Sequence, residues 1–158
     1  MIRGQYLMTI AGPERAPGEV SFGYLIQRLA KEIDARMKAE LKAIDVDFKL
    51  FANLLALMKE DGINQRRLGE TLGFPEYFTS RNVDAMVQAG FAERQPDPQS
   101  RRSFLVFLTP KGRRKAELLP PIIKAVNDES LAALSVAERK TVVELLQKTI
   151  ASPGGPAG

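Results

Sequence analysis

Hydrophobic residues recur along most of the chain at intervals of three and four, which is the spacing of one face of an α-helix. The first such segment follows Ser21, a residue type favoured just before a helix, and extends to about Ala43. A second begins at Asp47 and ends at Asp61-Gly62, because glycine is favoured just past the last helical turn. The pattern therefore predicts two helices in the first 62 residues.

Two shorter helical segments follow. Asn64 is a good capping residue for a helix that stops at Gly73. Pro75 suits the first turn of the next helix, where its missing N–H costs nothing, and Gly90 ends that helix. This spacing predicts a helix-turn-helix.

Two runs with strand character come next, at 91–95 and 104–108. The intervening residues 96–102 contain Pro96, Pro98 and two arginines. We expect a β-hairpin with a long, basic tip that the prolines stiffen.

The last part of the chain returns to helical spacing. Thr109-Pro110 is a hydroxyl cap followed by proline, which predicts the start of a fifth helix. Pro120-Pro121 lies inside that helix, and we expect a kink or a local break there. The segment Ser135 to Glu138 has the form of a capping box and opens a last helix.

The element order α-α-α-α-β-β-α-α predicts a mainly α fold with a small β-hairpin wing. A winged helix-turn-helix domain occupies 47–109, after a flexible N-terminal arm at 1–20. The helices of 21–46 and 110–151 carry more apolar surface than one winged helix buries, so they are predicted to form a helical dimerisation region. The other interpretation is that these helices pack only on each other. A disordered tail is expected at 152–158.

The amino-acid composition argues against several classes of function. The chain contains no cysteine and no histidine, which excludes disulfides and thiol chemistry and removes the usual metal ligand and general base. We expect no cofactor, no metal site and no enzymatic activity. No apolar run of about 18 residues and no signal peptide are recognisable, so a cytoplasmic protein without a membrane partner is expected.

Positive charge is concentrated in the middle of the chain. From Arg66 to Lys115 there are ten basic and five acidic residues, or 10 − 5 = +5, and the rest of the chain carries 13 − 14 = −1. Such a confined positive field favours a polyanion such as double-stranded DNA, although a solvated surface gives the same count.

The second helix of the helix-turn-helix is the candidate recognition helix. Helical spacing turns Val83 and Met86 toward the core. The outward positions are Tyr77, Ser80, Arg81 and Asp84. Arg81 is a candidate for bidentate binding to guanine, whereas Asp84 is expected to orient an arginine, because a carboxylate repels phosphate.

Arg101 and Arg102 in the wing are the strongest candidate DNA contacts, since a narrow minor groove attracts arginine. The other possibility is that one of them pairs with Asp97 and holds the loop. Lys111 and Arg113, with their neighbour Arg114, are predicted to contact the DNA backbone. Arg66 and Arg67 either reach flanking phosphates or are solvated.

Five segments resemble the MarR family of transcriptional regulators. The first helix of the motif is matched by Ile63–Gln65 and Leu68–Gly73, the end of the second by Ala89–Arg94, and the wing by Pro96–Arg102 and Leu108–Arg113. The resemblance implies a two-fold dimer joined by the first and last helices, bound to a pseudo-palindrome and usually acting as a repressor. It also implies release of DNA by a small phenolic or anionic compound.

Three residues depart from the family pattern. Ser100 replaces a wing aspartate that often braces an arginine, so the order of the wing is in question. Thr79 and Asn82 stand where apolar residues are usual, which predicts a differently or more loosely packed recognition helix. The lack of cysteine separates the chain from the family's thiol-based oxidant sensors.

The sequence also contains candidate residues for an effector site. Tyr24, Arg28 and Phe51 are candidates for a pocket that takes an aromatic acid, because an aromatic wall beside a cation suits such a ligand; core or interface is the other interpretation. A winged helix can also be a protein-interaction module without operator binding, which remains the competing function.

Overall fold

The computed structural model describes residues 20–151. The predicted disordered tail at 152–158 and all but the last residue of the predicted N-terminal arm lie outside this range. The elements are α1 (Phe22–Ala43), a 3-10 turn (Phe48–Leu50), α2 (Phe51–Lys59), β1 (Ile63–Asn64), α3 (Gln65–Leu72), α4 (Glu76–Gln88), β2 (Ala92–Asp97), β3 (Ser100–Leu108), α5 (Pro110–Ser130) and α6 (Val136–Ile150). The predicted fold class is confirmed: within the described range, six α-helices accompany one small antiparallel sheet.

Side-chain caps define most helix starts, as the sequence predicted. The side chains of Asp47, Asn64 and Thr109 each accept a hydrogen bond from a backbone N–H in the following turn. Ser135 and Glu138 form the complete capping box. These bonds satisfy donors that the first helical turn otherwise leaves unpaired.

Two cap predictions need correction. Ser21 occupies the capping position of α1, but its side chain makes no capping hydrogen bond. Pro75 precedes α4 as its capping residue instead of lying in the first turn, with an extended ψ of 151°. At the other end of α3, Gly73 has the left-handed φ of 65° that favours glycine after a helix.

The three strands are ordered β1-β3-β2 and all pair antiparallel. The sequence did not reveal β1, because its two residues are too few to show alternation. Ile63 pairs with Val106, so the short strand attaches the helix-turn-helix to the wing.

The wing is more regular than predicted. Strands β2 and β3 extend to Asp97 and Ser100, so the expected long loop is wrong and the turn itself is Pro98-Gln99. The register shifts between Pro96 and Asp97, which leaves residues 101–103 bulged out of the ladder. The turn closes early because the side chain of Asp97 accepts a hydrogen bond from the N–H of Gln99 at 2.9 Å.

Helix α5 continues through Pro120-Pro121, so a local break, one of the two predicted outcomes, is wrong, and a kink stays a prediction. Proline's fixed φ is compatible with a helix, so its cost is a missing hydrogen bond and crowding of the preceding turn. Leu119 and Val126 on either side are fully buried, and α5 packs against both α1 and α2. Tertiary packing therefore holds the helix together across the prolines.

The core lies where α2, α3, α4 and α5 meet the sheet. Its fully buried side chains include Leu54, Leu57, Leu68, Val83, Met86, Val106 and Leu119. Helix α6 contributes no buried residue. No helix in residues 20–151 is long and apolar enough to cross a membrane.

Candidate nucleic-acid interface

Helix α4 presents the face that the sequence predicted. Val83 and Met86 are completely buried, which anchors the helix on the core. Tyr77 is 66% exposed, and Arg81 is also exposed on the outer face. Ser80 is half-buried. The outer face of α4 can therefore offer an aromatic ring and a cation to a ligand.

Thr79 packs α4 closely against α3 and does not loosen it. The Thr79 hydroxyl donates to the carbonyl of Pro75 at 3.1 Å. A Cβ added to Gly69 of α3 would lie 2.6 Å from the same hydroxyl oxygen, so the two helices approach to contact here. The departure from an apolar residue at position 79 is thus compatible with tight packing.

Asn82 is the more costly departure. It is 2% exposed, and its side-chain Nδ2 is buried with no hydrogen-bond partner in the described chain. An unsatisfied buried donor costs about 1–3 kcal/mol. The buried, unsatisfied amide of Asn82 therefore weakens the packing of α4 on the core, although the helix itself is intact.

Arg101 and Arg102 are exposed on the bulged part of β3, directly after the wing turn. Neither pairs with Asp97, so the alternative that one of them braces the wing through this carboxylate is wrong. Asp97 instead accepts hydrogen bonds from the Gln99 N–H, from Asn64 Nδ2 at 3.0 Å and from the Ser103 hydroxyl at 3.4 Å.

These hydrogen bonds lower the pKa of Asp97, the Gln99 N–H contributing most, then Asn64, because each stabilises the ionised carboxylate. Asn64 also caps α3 with its Oδ1, so one side chain connects the helix-turn-helix to the wing turn. The wing is therefore ordered although position 100 is a serine and not an aspartate.

A groove of about 470 Å³ separates the start of α4 from the wing. Glu76 and Thr79 line it from α4, and Arg102 and Phe104 line it from β3. Arg102 thus faces the N-terminal end of α4. This places a wing arginine and the positive end of a helix dipole around one concave surface.

Lys111 and Arg113 are both engaged within the chain. Lys111 Nζ donates to the carbonyl of Ala89 at 2.8 Å and lies 5.2 Å from the centre of the Phe91 ring. Arg113 forms an ion pair with Asp61, which also accepts a hydrogen bond from the Leu108 N–H. These contacts fasten the start of α5 to the ends of α4 and β3, and a role in phosphate binding stays a prediction.

The basic residues of α3 also have acidic partners. Arg66 pairs with Glu70 at 3.0 Å and Arg67 with Glu60 at 2.9 Å, all on the surface. Exposed pairs of this kind are weak and exchange partners easily.

Sequence reasoning missed Arg94 as an individual residue and counted it only as part of the positive field. Its guanidinium lies between α3, α4 and β2 and pairs with Asp84 at 2.6 Å. Asp84 does hold an arginine, as predicted. The separation of ten residues across a turn and a strand start hid the pair from helical-spacing analysis.

The predicted effector residues do not share one cavity. Arg28 pairs with Glu32 at 3.2 Å, and Glu32 first and Tyr24 next raise the pKa of Arg28. Arg28 lines a shallow depression that Phe51 does not reach. Phe51 packs instead against the ring of Phe48, with 5.4 Å between ring centres.

The region that contains the candidate interface also matches known proteins. Residues 51–103 match the family model described as MarR family. The chain is 27% identical over 130 residues to the HTH-type transcriptional regulator BilQ of Clostridium symbiosum (strain WAL-14163), a match that covers 82% of this chain and 90% of that protein.

Solved structures share the fold. A MarR transcriptional regulator from Methanosarcina mazei Go1 superposes with a TM-score of 0.74 at 26% identity, over 81% of this chain and 92% of that one. The MarR family protein Rv2887 of Mycobacterium tuberculosis, in its complex with salicylic acid, has a TM-score of 0.65 at 21% identity, over 84% of this chain and 98% of that one.

The match at 51–103 spans α2, the helix-turn-helix and the first part of the wing. These relatives are regulators of transcription and not enzymes. In sequence and in fold the chain is similar to the MarR family of winged-helix transcriptional regulators, whose family model matches residues 51–103.

Proposed function

We propose that this regulator binds a pseudo-palindromic operator in double-stranded DNA as a homodimer and represses transcription there. The observation that carries the proposal is the groove in which Arg102 of the wing faces the start of α4. The major groove of B-DNA admits an α-helix, and a basic wing beside that helix can then contact the flanking backbone or minor groove.

In the described part of the chain four exposed arginines are free to bind a polyanion: Arg81, Arg101, Arg102 and Arg114. Within residues 20–151, these arginines form no hydrogen bond or ion pair with another side chain. Their charges are therefore not neutralised internally, as those of Arg66, Arg67 and Arg113 are. We assign Arg81, with Tyr77 and Ser80, to the major groove and the wing pair to the minor groove or backbone.

Dimerisation is supported by apolar surface at both ends of the described chain. Phe22 and Leu25 of α1 and Leu145 and Ile150 of α6 are largely exposed, although their spacing is that of packed helices. Two α4 helices related by a two-fold axis would read two half-sites, which gives the operator its pseudo-palindromic form.

The second part of the proposal is release of the DNA by a small-molecule effector. Tyr24 and Arg28 adjoin each other on α1, and an aromatic acid placed against them would find a ring and a cation; Phe51 would join them only if a partner subunit completes the site. A thermal-shift series with aromatic acids tests this, because a ligand that binds the folded state raises the midpoint. No shift with any acid of the series would contradict an effector of this class.

The operator proposal is tested by binding to the DNA upstream of the protein's own gene, with a salt titration. We expect affinity to fall steeply as salt rises, since each phosphate contact contributes about −0.9 to the log–log slope. An affinity that barely changes with salt would exclude phosphate contacts and with them operator binding. A stable protein partner together with no shift of any promoter fragment would favour the protein-interaction module instead.

A further inference from the structure

Arg94 joins three elements through one planar group. From its place on β2, Nε donates to Oε1 of Gln65 at the start of α3 at 2.8 Å. Nη1 pairs with Asp84 Oδ1 of α4 at 2.6 Å, and Nη2 donates to the backbone carbonyl of Ser80 at 3.3 Å. The side chain is only 25% exposed, in contrast to the free arginines of the wing.

We propose that Arg94 is a positioning residue that fixes the orientation of α4 relative to the wing, and that Asp84 serves specific DNA binding through Arg94 without touching DNA. The proposal rests on the proposed operator binding. It assigns to a basic residue of the DNA-binding region a role other than contact with DNA.

The geometry supports a rigid joint. A guanidinium holds its donors in a fixed plane, so acceptors on Gln65, Ser80 and Asp84 are bound in one relative arrangement. The backbone of Arg94 is itself fixed, because it pairs with Val106 in the sheet. Lysine cannot replace this fork, since a single ammonium lacks the planar set of donors.

The joint acts next to the proposed reading residues. Ser80, whose carbonyl accepts from Arg94, directly precedes Arg81 in α4. If this turn of α4 shifted, Arg81 would be displaced with it. A displaced Arg81 could no longer make the bidentate contact that discriminates between bases. Phosphate contacts made by the wing would be largely retained.

Replacement of Asp84 gives the sharpest test. If Asp84 is only a surface acid, or if it acts through Arg94, the replacement should change DNA affinity in opposite directions. A mere surface acid near DNA repels phosphate, so Asp84→Asn should then tighten binding to every duplex. If Asp84 acts through Arg94, Asp84→Asn should weaken specific binding by about tenfold or more and leave non-specific binding unchanged or slightly tighter.

The probes are a duplex that the wild-type protein selects from a random DNA pool and a scrambled duplex of the same length. Arg94→Gln should lower affinity for the selected duplex, leave the scrambled duplex nearly unaffected, and keep the salt slope. Arg94→Lys should not restore the loss. As the matched variant, Arg81→Gln should lower affinity and, if Arg81 also meets phosphate, reduce the slope by about one.

Amide hydrogen exchange of the free protein supplies a readout that needs no DNA. Arg94→Gln and Asp84→Asn should both speed exchange in α4 while α1 and α5 keep their protection. If Arg94→Gln does not fold, Asp84→Asn, which changes one exposed carboxylate to an amide of the same shape, carries the test.

Two results would overturn the proposal: tighter binding of Asp84→Asn to the selected duplex, or a salt slope lowered by about one in Arg94→Gln. Unchanged exchange in α4 in both variants would overturn it as well. If the wild-type protein selects no duplex at all, operator binding fails, and hydrogen exchange still decides whether Arg94 holds α4.

Discussion

At the scale of single residues, Asp97 organises the wing. One oxygen accepts from the Gln99 N–H and closes the turn, and the other binds the amide of Asn64, which caps α3. The wing turn and the helix-turn-helix are therefore connected through two short polar side chains. Because the hydrogen bonds favour the ionised form, the pKa of Asp97 lies below its usual value.

Asp97→Asn should lower the thermal midpoint most at neutral pH. A carboxylate with a lowered pKa in the folded state stabilises the protein above its unfolded pKa of about 3.8, and this contribution is lost as pH falls through the folded value. The difference in midpoint between wild type and variant should therefore shrink below about pH 4. Calorimetry across this range is the measurement, and a difference that does not vary with pH would contradict the assignment.

Arg101→Ala and Arg102→Ala should each weaken binding to the operator by about 1–3 kcal/mol if the side chains reach bases. Neither change should lower stability, since both side chains are exposed and unpaired in the described chain. Fluorescence anisotropy at fixed salt measures the effect. Lys124→Ala is the control, because this residue of α5 has only an exposed pair with Asp128; an equal loss there would indicate that net charge alone matters.

At the scale of elements, the start of α5 packs in direct contact with the backbone that precedes β2. A Cβ added to Gly112 would lie 1.8 Å from the carbonyl oxygen of Phe91, so helix and backbone are in direct contact. Thr109 reinforces this contact, because its N–H donates to the same carbonyl and its hydroxyl to that of Gly90. This contact sets where α5 leaves the winged helix.

Gly112→Ala should destabilise the protein by about 3 kcal/mol or more, since overpacking against backbone cannot be relieved by a rotamer change. Gly23→Ala is the matched control. Its added Cβ meets only Ser21 Oγ at 3.9 Å in α1, so a gain of about 0.4–1 kcal/mol is expected. Urea unfolding of both variants gives the comparison, and equal stabilities would contradict the close approach at Gly112.

At the scale of the whole molecule, the chain divides into a well-packed winged helix and helices with unsatisfied apolar faces. Helix α6 buries none of its residues, and Leu145 and Ile150 are 57% and 82% exposed. A helix of this length gains most of its stability from packing. We therefore expect a second subunit to cover it.

Leu145→Glu should weaken self-association by at least about tenfold, because burying an unpaired charge costs more than the apolar contact it replaces. Sedimentation equilibrium measures the change. Val87→Glu is the control, since Val87 is similarly apolar and 40% exposed but belongs to α4. A dimer that survives Leu145→Glu intact would place the interface elsewhere.

Local signals in the sequence were sufficient for the helices. The capping residues Asn64, Thr109 and Ser135 and the glycine at position 73 act within one turn of chain, so their positions predicted helix ends directly. The helical spacing of Val83 and Met86 likewise predicted which face of α4 is buried.

Contacts between distant residues were not predictable in this way. The unbroken helix at Pro120-Pro121 and the links from Asp97 to Asn64 and from Arg94 to Gln65 depend on partners from other elements. Each partner lies too far along the chain for periodicity or spacing to relate the two. The motifs in the wing marked these residues as basic or turn-forming without showing what they touch.

The sequence alone determined the order of the six helices and the hairpin, the winged-helix fold and the candidate arginines for DNA binding, because these follow from local periodicity, caps and charge. Only the tertiary structure decided which arginines are free and which are engaged. Arg101 and Arg102 stay exposed, whereas Arg94 is held among three elements. These identical side chains differ in role because folding places hydrogen-bond acceptors around Arg94 and leaves Arg101 and Arg102 exposed to solvent.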